Sequence, residues 1–186
     1  FSDTGLSPGT TRYYRVSATN GAGDSAVSNL ASATTWTVAE EWRQENFGQL
    51  ANTGEAADHF DADGDGSVNL LERAFDTVPT DAASFFLPYA SKASDGGNDY
   101  LAITYRRRQG AGSGSSEAGF TVAEMTYTVR RTLSLEFGPW ETGAALLQEV
   151  SVIDNGDGTD SVTVRSKTPI TGGGREFLRV EVNASP

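Results

Sequence analysis

The sequence predicts a mainly β protein with a small helical insert, arranged as a β-hairpin, a helix-loop-helix and an antiparallel β-sandwich. Two observations indicate the β parts: apolar and polar residues alternate over short segments, and polar or glycine-rich turns separate those segments. A third observation indicates the insert, because helical spacing and an acidic segment occur together between residues 36 and 80. The predicted domains are therefore 1–35, 36–80 and 81–186.

The composition of the 186-residue chain excludes several classes of protein. Acidic residues outnumber basic ones by 25 to 14, and the net charge of −11 disfavours binding to nucleic acid or anionic lipid. The absence of cysteine excludes thiolate zinc sites, iron–sulfur clusters and cysteine nucleophiles. A single histidine, His59, excludes a two-histidine metalloprotease motif. No apolar run approaches the roughly 18 residues of a membrane span.

The N-terminal hairpin is predicted from alternation over residues 12–19, a polar turn at 20–24 and a weaker strand at 25–35. Tyr14, Val16 and Ala18 share one face of the first strand. A two-stranded hairpin leaves one apolar face uncovered and is marginally stable alone. We therefore expect its exposed edges to favour self-association through this segment.

This hairpin resembles the end of a fibronectin type III domain. The resemblance rests on Leu6-Ser7-Pro8-Gly9-Thr10, Tyr14-Arg15-Val16, Asn20, Gly23 and Ser25. It implies the E–F corner and strands F and G, with strands A to E absent, although Arg12 stands where the family has its corner tyrosine. Because the chain also begins at Phe1 rather than Met, we expect it to be part of a longer polypeptide whose upstream domains are its partners.

The helical insert begins with a capping box, in which Thr37 and Glu40 each satisfy a free backbone amide. A second helical turn is predicted over 54–60, and a third helix over 69–76 that ends before Pro79. The insert is predicted to have a minimal core of its own, composed of Trp42, Phe47, Phe60, Val68, Leu71 and Phe75.

The acidic segment 61–72 has the pattern of a calcium-binding loop. Calcium is a hard cation that takes six to eight oxygen ligands, and carboxylates at alternate positions wrap such an ion. Gly66 permits the sharp turn, and Glu72 closes the shell from the first turn of the exiting helix. The predicted ligands of one Ca²⁺ are Asp61, Asp63, Asp65, Ser67 through its carbonyl, Asn69 and Glu72.

This arrangement resembles EF-hand loops and the related dockerin-type calcium loops. Switching EF-hands usually work in pairs, and only one such loop is present, so a structural role is expected. A second acidic segment, 154–160, lacks the pattern. If Asp157-Gly158 is aligned with loop positions 5 and 6, the apolar residues Ile153 and Val164 stand at positions 1 and 12, where ligands are needed. It is predicted to be a hairpin turn.

The C-terminal region is predicted to contain six strands with hairpin spacing, at 85–89, 100–107, 120–131, 146–153, 161–165 and 176–182. Glycine-rich breaks at 109–119 and 171–174 separate some of them. The region resembles a β-module found at the C-terminal end of large secreted bacterial multidomain proteins. That resemblance rests on Tyr127-Thr128-Val129, Leu133-Ser134, Trp140 and Phe177-Leu178-Arg179-Val180.

Three further features have a functional and a structural interpretation. Arg106-Arg107-Arg108 with Arg130-Arg131 could bind an acidic glycan, but charged strand ends are the preferred interpretation. Trp140 is the best candidate for stacking on a sugar ring, provided that it is exposed. His59 is expected to lie on a helix surface or to pack rather than to bind metal.

The leading functional prediction is a non-catalytic, calcium-binding C-terminal region of a large extracellular protein, acting as a spacer, anchor or adhesion module. The alternative is a carbohydrate-binding accessory module of a secreted glycoside-active enzyme. An enzyme with paired carboxylates is disfavoured, because the densest acidic cluster is already assigned to calcium. The extracellular or cell-surface location follows from the resemblances, since the absence of cysteine is compatible with both export and the cytosol.

Overall fold

The computed structural model describes residues 2–170 and 174–184, and within them the chain is mainly β with antiparallel sheets. The chain divides into two compact units, 1–51 and 52–186. The predicted helical insert, 36–80, therefore contributes its first helix to one unit and its acidic loop to the other. Most of the predicted glycine-rich break at 171–174 lies outside the described residues.

The first unit contains a short, interrupted hairpin. Strand β1 (Thr11–Tyr14) pairs antiparallel with β4 (Ala31–Thr34), and β2 (Thr19–Asn20) pairs with β3 (Gly23–Asp24). The prediction of two continuous strands was wrong. Between the two ladders, serine hydroxyls replace backbone carbonyls as acceptors: Ser28 Oγ accepts from the Val16 amide and Ser25 Oγ from the Ala18 amide.

Helix α1 (Val38–Phe47) completes the first unit and begins at the predicted capping box. Thr37 Oγ1 accepts from the Glu40 amide at 3.1 Å, and a Glu40 carboxylate oxygen accepts from the Thr37 amide at 2.9 Å. The rings of Trp42 and Phe47 meet edge to face, with centroids 5.7 Å apart. These two residues therefore pack within the first unit.

The second unit begins with a 3₁₀ turn (Gly54–Ala56), followed by the acidic loop and helix α2 (Asn69–Phe75). The longer helical turn predicted over 54–60 was wrong, so the loop has an exiting helix but only this short turn before it. Helix α2 ends where Asp76 adopts a left-handed conformation with φ 57°. The helix therefore ends ahead of Pro79, as predicted.

Within residues 52–170 and 174–184, eight strands form two four-stranded antiparallel sheets. The first sheet has the order β10-β11-β6-β5 and the second β12-β9-β8-β7. The strands are β5 (Tyr89–Asp95), β6 (Asn98–Arg108), β7 (Ser113–Ser115), β8 (Gly119–Val122), β9 (Met125–Thr132), β10 (Leu147–Asp154), β11 (Thr159–Pro169) and β12 (Phe177–Ala184).

Two strand predictions differ from the structure. The segment predicted as a strand at 85–89 runs without secondary structure up to Tyr89, where β5 begins, because Pro88 cannot donate to a ladder and Phe86 packs on α2 instead. The single strand predicted at 120–131 is a hairpin of β8 and β9, joined by Ala123 and Glu124 with positive φ. Strand β7 lies within the predicted glycine-rich break at 109–119.

One hydrophobic core joins α2 to both sheets. From the first sheet it contains Ile103, Tyr105, Leu147, Val162 and Val164, and from the second Val122, Met125, Tyr127 and Val129. Ala74 and Phe75 of α2 belong to the same core. Of the six residues predicted to form a minimal core within 36–80, Phe75 and Leu71 pack in this core with the sheets instead. We call the two sheets with this shared core the two-sheet body.

Among the residues that the structure describes, neither helix has the length and apolar character needed to cross a bilayer.

Candidate metal centre

Hydrogen bonds from backbone amides to the Asp61 side chain build the first turn of the acidic loop. Asp61 Oδ1 accepts from the amide of Gly64 at 2.8 Å, and Oδ2 accepts from the amide of Gly66 at 3.0 Å. Both glycines have positive φ, 78° and 97°, which side chains with a Cβ rarely adopt. The glycines therefore let the chain fold back around the Asp61 carboxylate.

Asp63 and Asp65 form similar turns further along the loop. Asp63 Oδ1 accepts from the Asp65 amide at 3.1 Å, and Asp65 Oδ1 accepts from the Ser67 amide at 2.6 Å. The second oxygen of each carboxylate, Oδ2, is buried and has no hydrogen-bond partner among the described residues. Carboxylate oxygens of Asp61, Asp63 and Asp65 lie within 4.8 Å of one another, and this aspartate cluster could hold a metal ion.

Glu72 brings a fourth carboxylate to the loop from the first turn of α2. The residue is 1% exposed, and neither carboxylate oxygen has a hydrogen bond of ordinary geometry within the described residues. Burial, followed by repulsion from Asp63, Asp65 and Asp61, raises the pKa of Glu72 to about 7, while the Thr77 side chain opposes this rise. The metal-free loop therefore disfavours the ionised form of this carboxyl group.

Asn69 is fully buried at the point where the loop ends and α2 begins. Its side-chain amide nitrogen donates to the carbonyls of Glu55 at 2.7 Å and Ala57 at 2.8 Å, which leaves Oδ1 buried without a partner among the described residues. Its backbone amide donates to the Phe60 carbonyl at 2.9 Å, so the two ends of the loop are joined. Ser67, the other predicted ligand, is 6% exposed.

The predicted ligand side chains together present five buried oxygens that no described residue satisfies. These are Oδ2 of Asp63, Oδ2 of Asp65, Oδ1 of Asn69 and both carboxylate oxygens of Glu72. Buried oxygens are normally hydrogen-bonded, because leaving one without a partner costs about 1–3 kcal/mol, and more when it is charged. Among the acidic residues of the loop, the structure brings ligand atoms of Asp61, Asp63 and Asp65 within 4.8 Å of one another, and Glu72 is not part of that group.

Asp58 supports the loop, and the sequence analysis did not identify it. Its amide donates to Asn52 Oδ1 at 2.7 Å, and its carbonyl accepts from the Leu70 amide at 2.9 Å. Its carboxylate lies 3.6 Å from the guanidinium of Arg73, which is 1% exposed. No spacing rule marks Asp58, because these contacts depend on how the chain closes around the loop.

The second acidic segment forms the predicted turn between β10 and β11. Asp154 Oδ1 accepts from the Gly156 amide at 2.7 Å. The other two carboxylates form ion pairs with β6: Asp157 lies 2.6 Å from Arg106, and Asp160 lies 3.2 Å from Arg107. These aspartates are therefore engaged with arginines rather than gathered around a common centre.

The arginines considered as an anion site all form ion pairs. Arg106 and Arg107 bind the turn just described, Arg108 pairs with Asp76, Arg130 with Glu181 and Arg131 with Glu176. Arg107 and Arg131 are also buried. Their main role in this structure is therefore to neutralise acidic residues of the same chain.

Trp140 is half-buried, and the Arg179 guanidinium lies 4.2 Å from the centre of its ring. Since a sugar stacks on an open ring face, one of the two faces is not available in this arrangement. His59 is exposed just before the loop. Neither residue extends the group of oxygens around the aspartate cluster.

Comparisons with protein-family models, with curated proteins and with solved structures give no match to this chain. The resemblances to fibronectin type III domains, to calcium loops and to C-terminal modules of secreted proteins therefore stay predictions from the residues quoted above.

Proposed function

We propose that residues 61–72 bind one Ca²⁺ ion and that the chain is a non-catalytic structural region of an extracellular multidomain protein. In this proposal the aspartate cluster, the Ser67 carbonyl, Asn69 and Glu72 hold the ion. The ion supplies the positive charge and the oxygen coordination that the metal-free loop lacks. The sequence pattern indicates all six residues, and the geometry of the loop supports Asp61, Asp63 and Asp65, whose carboxylate oxygens lie within 4.8 Å of one another.

The buried Glu72 carboxyl group is the observation that carries the proposal. A carboxylate that is 1% exposed and lacks a hydrogen bond of ordinary geometry is costly, because burial removes water from its charge. Three further carboxylates repel it. A divalent cation at the centre removes both penalties, since each oxygen then has an attractive partner.

The chemistry of the ligands favours Ca²⁺ over other metals. All the proposed ligand atoms are oxygens, which suit hard cations, whereas zinc and copper sites use cysteine or histidine. Mg²⁺ requires near-ideal octahedral geometry and keeps several waters. A loop with carboxylates at alternate positions and a carboxylate from the exiting helix suits the larger and more flexible shell of Ca²⁺.

The remaining parts of the proposal concern the surrounding domains. The two-sheet body is proposed to be an antiparallel β-sandwich, the loop and α2 an EF-hand-like or dockerin-like element, and the N-terminal hairpin the last two strands of a fibronectin type III domain. Together they would act as a spacer, anchor or adhesion module outside the cell. Carbohydrate binding has less support, because Arg179 covers one face of the Trp140 ring.

Titration calorimetry of the chelator-treated protein with CaCl₂ tests the calcium site. We expect one site per chain and no comparable heat with MgCl₂. The double variant Asp65→Asn and Glu72→Gln removes two charges while it preserves side-chain size and acceptor oxygens, and it should abolish binding. Asp154→Asn is the matched control: it removes an exposed aspartate from the second acidic segment and should bind calcium as the unmodified chain does.

Three results would contradict the calcium site. The first is the absence of binding at millimolar CaCl₂ in the folded, unmodified chain. The second is equal affinity in the Asp65→Asn and Glu72→Gln double variant, which would place the ion elsewhere. The third is loss of binding only in the Asp154→Asn control, which would place the ion in the second acidic segment, 154–160.

A further inference from the structure

Helix α2 lies between the acidic loop and the two-sheet body and is bound at both of its ends. Its first turn carries Glu72, the last residue of the acidic loop 61–72, which is 1% exposed. Its last turn carries Ala74 and Phe75, which are 0% and 4% exposed and belong to the core of the two-sheet body. One short helix therefore belongs both to the proposed metal site and to the hydrophobic core.

Polar contacts fix the last turn of α2 to the sheets. The last carbonyls of a helix have no partner within the helix and need donors from elsewhere. Here Tyr127 Oη donates to the Ala74 carbonyl at 2.6 Å, and Arg108 Nε donates to the Arg73 carbonyl at 2.7 Å. The Arg108 guanidinium also pairs with Asp76 at 2.5 Å.

These donors come from the centre of the two-sheet body. Arg108 is the last residue of β6, and its amide donates to Tyr127 Oη at 3.3 Å. Tyr127, on β9, is fully buried, and its ring stacks on that of Tyr105 of β6 with centroids 6.0 Å apart. The contact with α2 thus reaches one strand of each sheet.

Apolar contacts reinforce this attachment. The rings of Phe75 and Phe86 meet edge to face with centroids 5.4 Å apart. The Arg106 guanidinium of β6 lies 5.8 Å from the centre of the Phe86 ring. The segment that follows α2 therefore holds the helix to the first sheet as well.

A helix of seven residues is too short to be stable in water by itself. Helix α2 depends on its two attachments, the loop at its start and the sheets at its end. Whatever strengthens one attachment lowers the entropic cost of forming the other, because the same residues are already ordered. The two attachments are therefore expected to be energetically coupled.

We propose, on the basis of the calcium site proposed above, that Ca²⁺ binding at the loop is coupled through α2 to the order of the two-sheet body. The ion fixes Glu72 and the start of the helix, and the fixed helix presents the Ala74 and Arg73 carbonyls to Tyr127 and Arg108. Calcium then stabilises β6 and β9 as well as the loop. By linkage, weaker contact with the sheets lowers calcium affinity by the same factor.

Hydrogen exchange on the full chain tests the first half of this coupling. Amide exchange in β6 and β9 is measured at saturating CaCl₂ and in excess chelator. We expect calcium to slow exchange at the loop, in α2 and in both strands. Slower exchange confined to residues 61–75 would overturn the coupling, and the calcium site itself would stand.

Calorimetry on two matched tyrosine variants tests the second half. Tyr127→Phe removes only the hydroxyl that contacts Ala74. Tyr89→Phe removes the hydroxyl of an exposed tyrosine in β5, at the edge of the first sheet. We expect the calcium dissociation constant to rise by about 5-fold or more in Tyr127→Phe and to stay unchanged in Tyr89→Phe.

The outcomes separate this coupling from the calcium site. An unchanged dissociation constant in a folded Tyr127→Phe variant overturns the coupling alone. Absence of calcium binding in the unmodified chain overturns both proposals together. If Tyr127→Phe does not fold, the exchange experiment on the unmodified chain alone tests whether calcium binding is coupled to the two-sheet body.

Discussion

The Tyr127 hydroxyl donates a 2.6 Å hydrogen bond to the carbonyl of Ala74, two residues after Glu72 in α2. The tyrosine is fully buried, and burial raises its pKa to about 12, so the hydroxyl is protonated and able to donate at neutral pH. The same oxygen accepts from the Arg108 amide. One side chain thus satisfies a helix carbonyl and a strand amide at once.

The variant Tyr127→Phe is expected to destabilise the chain even in the absence of metal. It removes the buried hydrogen bond to the Ala74 carbonyl and the part-buried one from the Arg108 amide, which costs about 1–3 kcal/mol of the free energy of unfolding. Denaturant unfolding in excess chelator measures this cost. Tyr89→Phe, at an exposed position, is the control and should change the free energy of unfolding by less than about 0.5 kcal/mol. Equal stability of the two variants would contradict the prediction.

The pH dependence of the metal-free protein should reveal Glu72. Its pKa is raised from the model-compound value of 4.5 to about 7, so the folded state binds this proton more tightly than the unfolded state does. The resulting stabilisation is complete below about pH 4.5 and is lost as the pH rises through 7. Calcium binding should change in the opposite direction and tighten with rising pH, because the ion binds the ionised carboxylate.

Denaturant unfolding in calcium-depleted buffer at pH 5 and pH 8 measures this effect. Glu72→Gln is the control, since glutamine has similar size and does not titrate. As the pH rises from 5 to 8, the unmodified chain should lose free energy of unfolding relative to the variant. Parallel pH profiles for the two proteins would show that Glu72 does not titrate in this range.

The local features of the acidic loop could be predicted from the sequence. Asp61, Gly64 and Gly66 form a turn within a few residues of one another, so the pattern alone carries their geometry. The capping box at Thr37 and Glu40 was predictable for the same reason. Both features depend on short-range hydrogen bonds and on the backbone freedom of glycine.

Features that depend on distant residues could not be predicted in this way. The β8–β9 turn uses Ala123 and Glu124 with φ of 49° and 64°, although such turns normally contain glycine or asparagine. Phe86 lies in an apolar segment that suggested a strand, but it packs on Phe75. In the case of Phe86, packing against another part of the chain overrides local preference.

The buried arginines are the clearest example of long-range determination. Arg107 is 6% exposed, pairs with Asp160 53 residues away, and lies 3.9 Å from the centre of the Phe120 ring. From the sequence alone, Arg107 is predicted to lie at a charged strand end. Only the pairing of β6 with β11 brings the carboxylate that permits its burial.

A pair of valines on neighbouring strands tests the position of the core. Val162 of β11 and Val152 of β10 are direct antiparallel partners, but Val162 is 0% exposed and Val152 is 41% exposed. Val162→Ala removes two buried carbon atoms and leaves a cavity, so we expect it to cost about 2–3 kcal/mol of the free energy of unfolding. Val152→Ala should cost less than about 1 kcal/mol. Similar costs for both variants would show that Val162 is not buried more deeply than its partner Val152.

The N-terminal hairpin is expected to be the first part of the chain that a protease cuts. Strands β2 and β3 have two residues each, and Val16, Val27 and Leu30 are more than half exposed. A segment with so few buried side chains opens locally at low cost, and proteolysis follows the population of the open form. Limited proteolysis with mass spectrometry should therefore find early cuts within residues 19–35. Cuts in β6 or β9 should appear much later, because these strands supply the core residues Tyr105 and Tyr127.

Self-association of the hairpin would protect it at high protein concentration, so the digestion is compared at two concentrations. Early cutting of β6 or β9 with an intact hairpin in the dilute sample would contradict this order of stability.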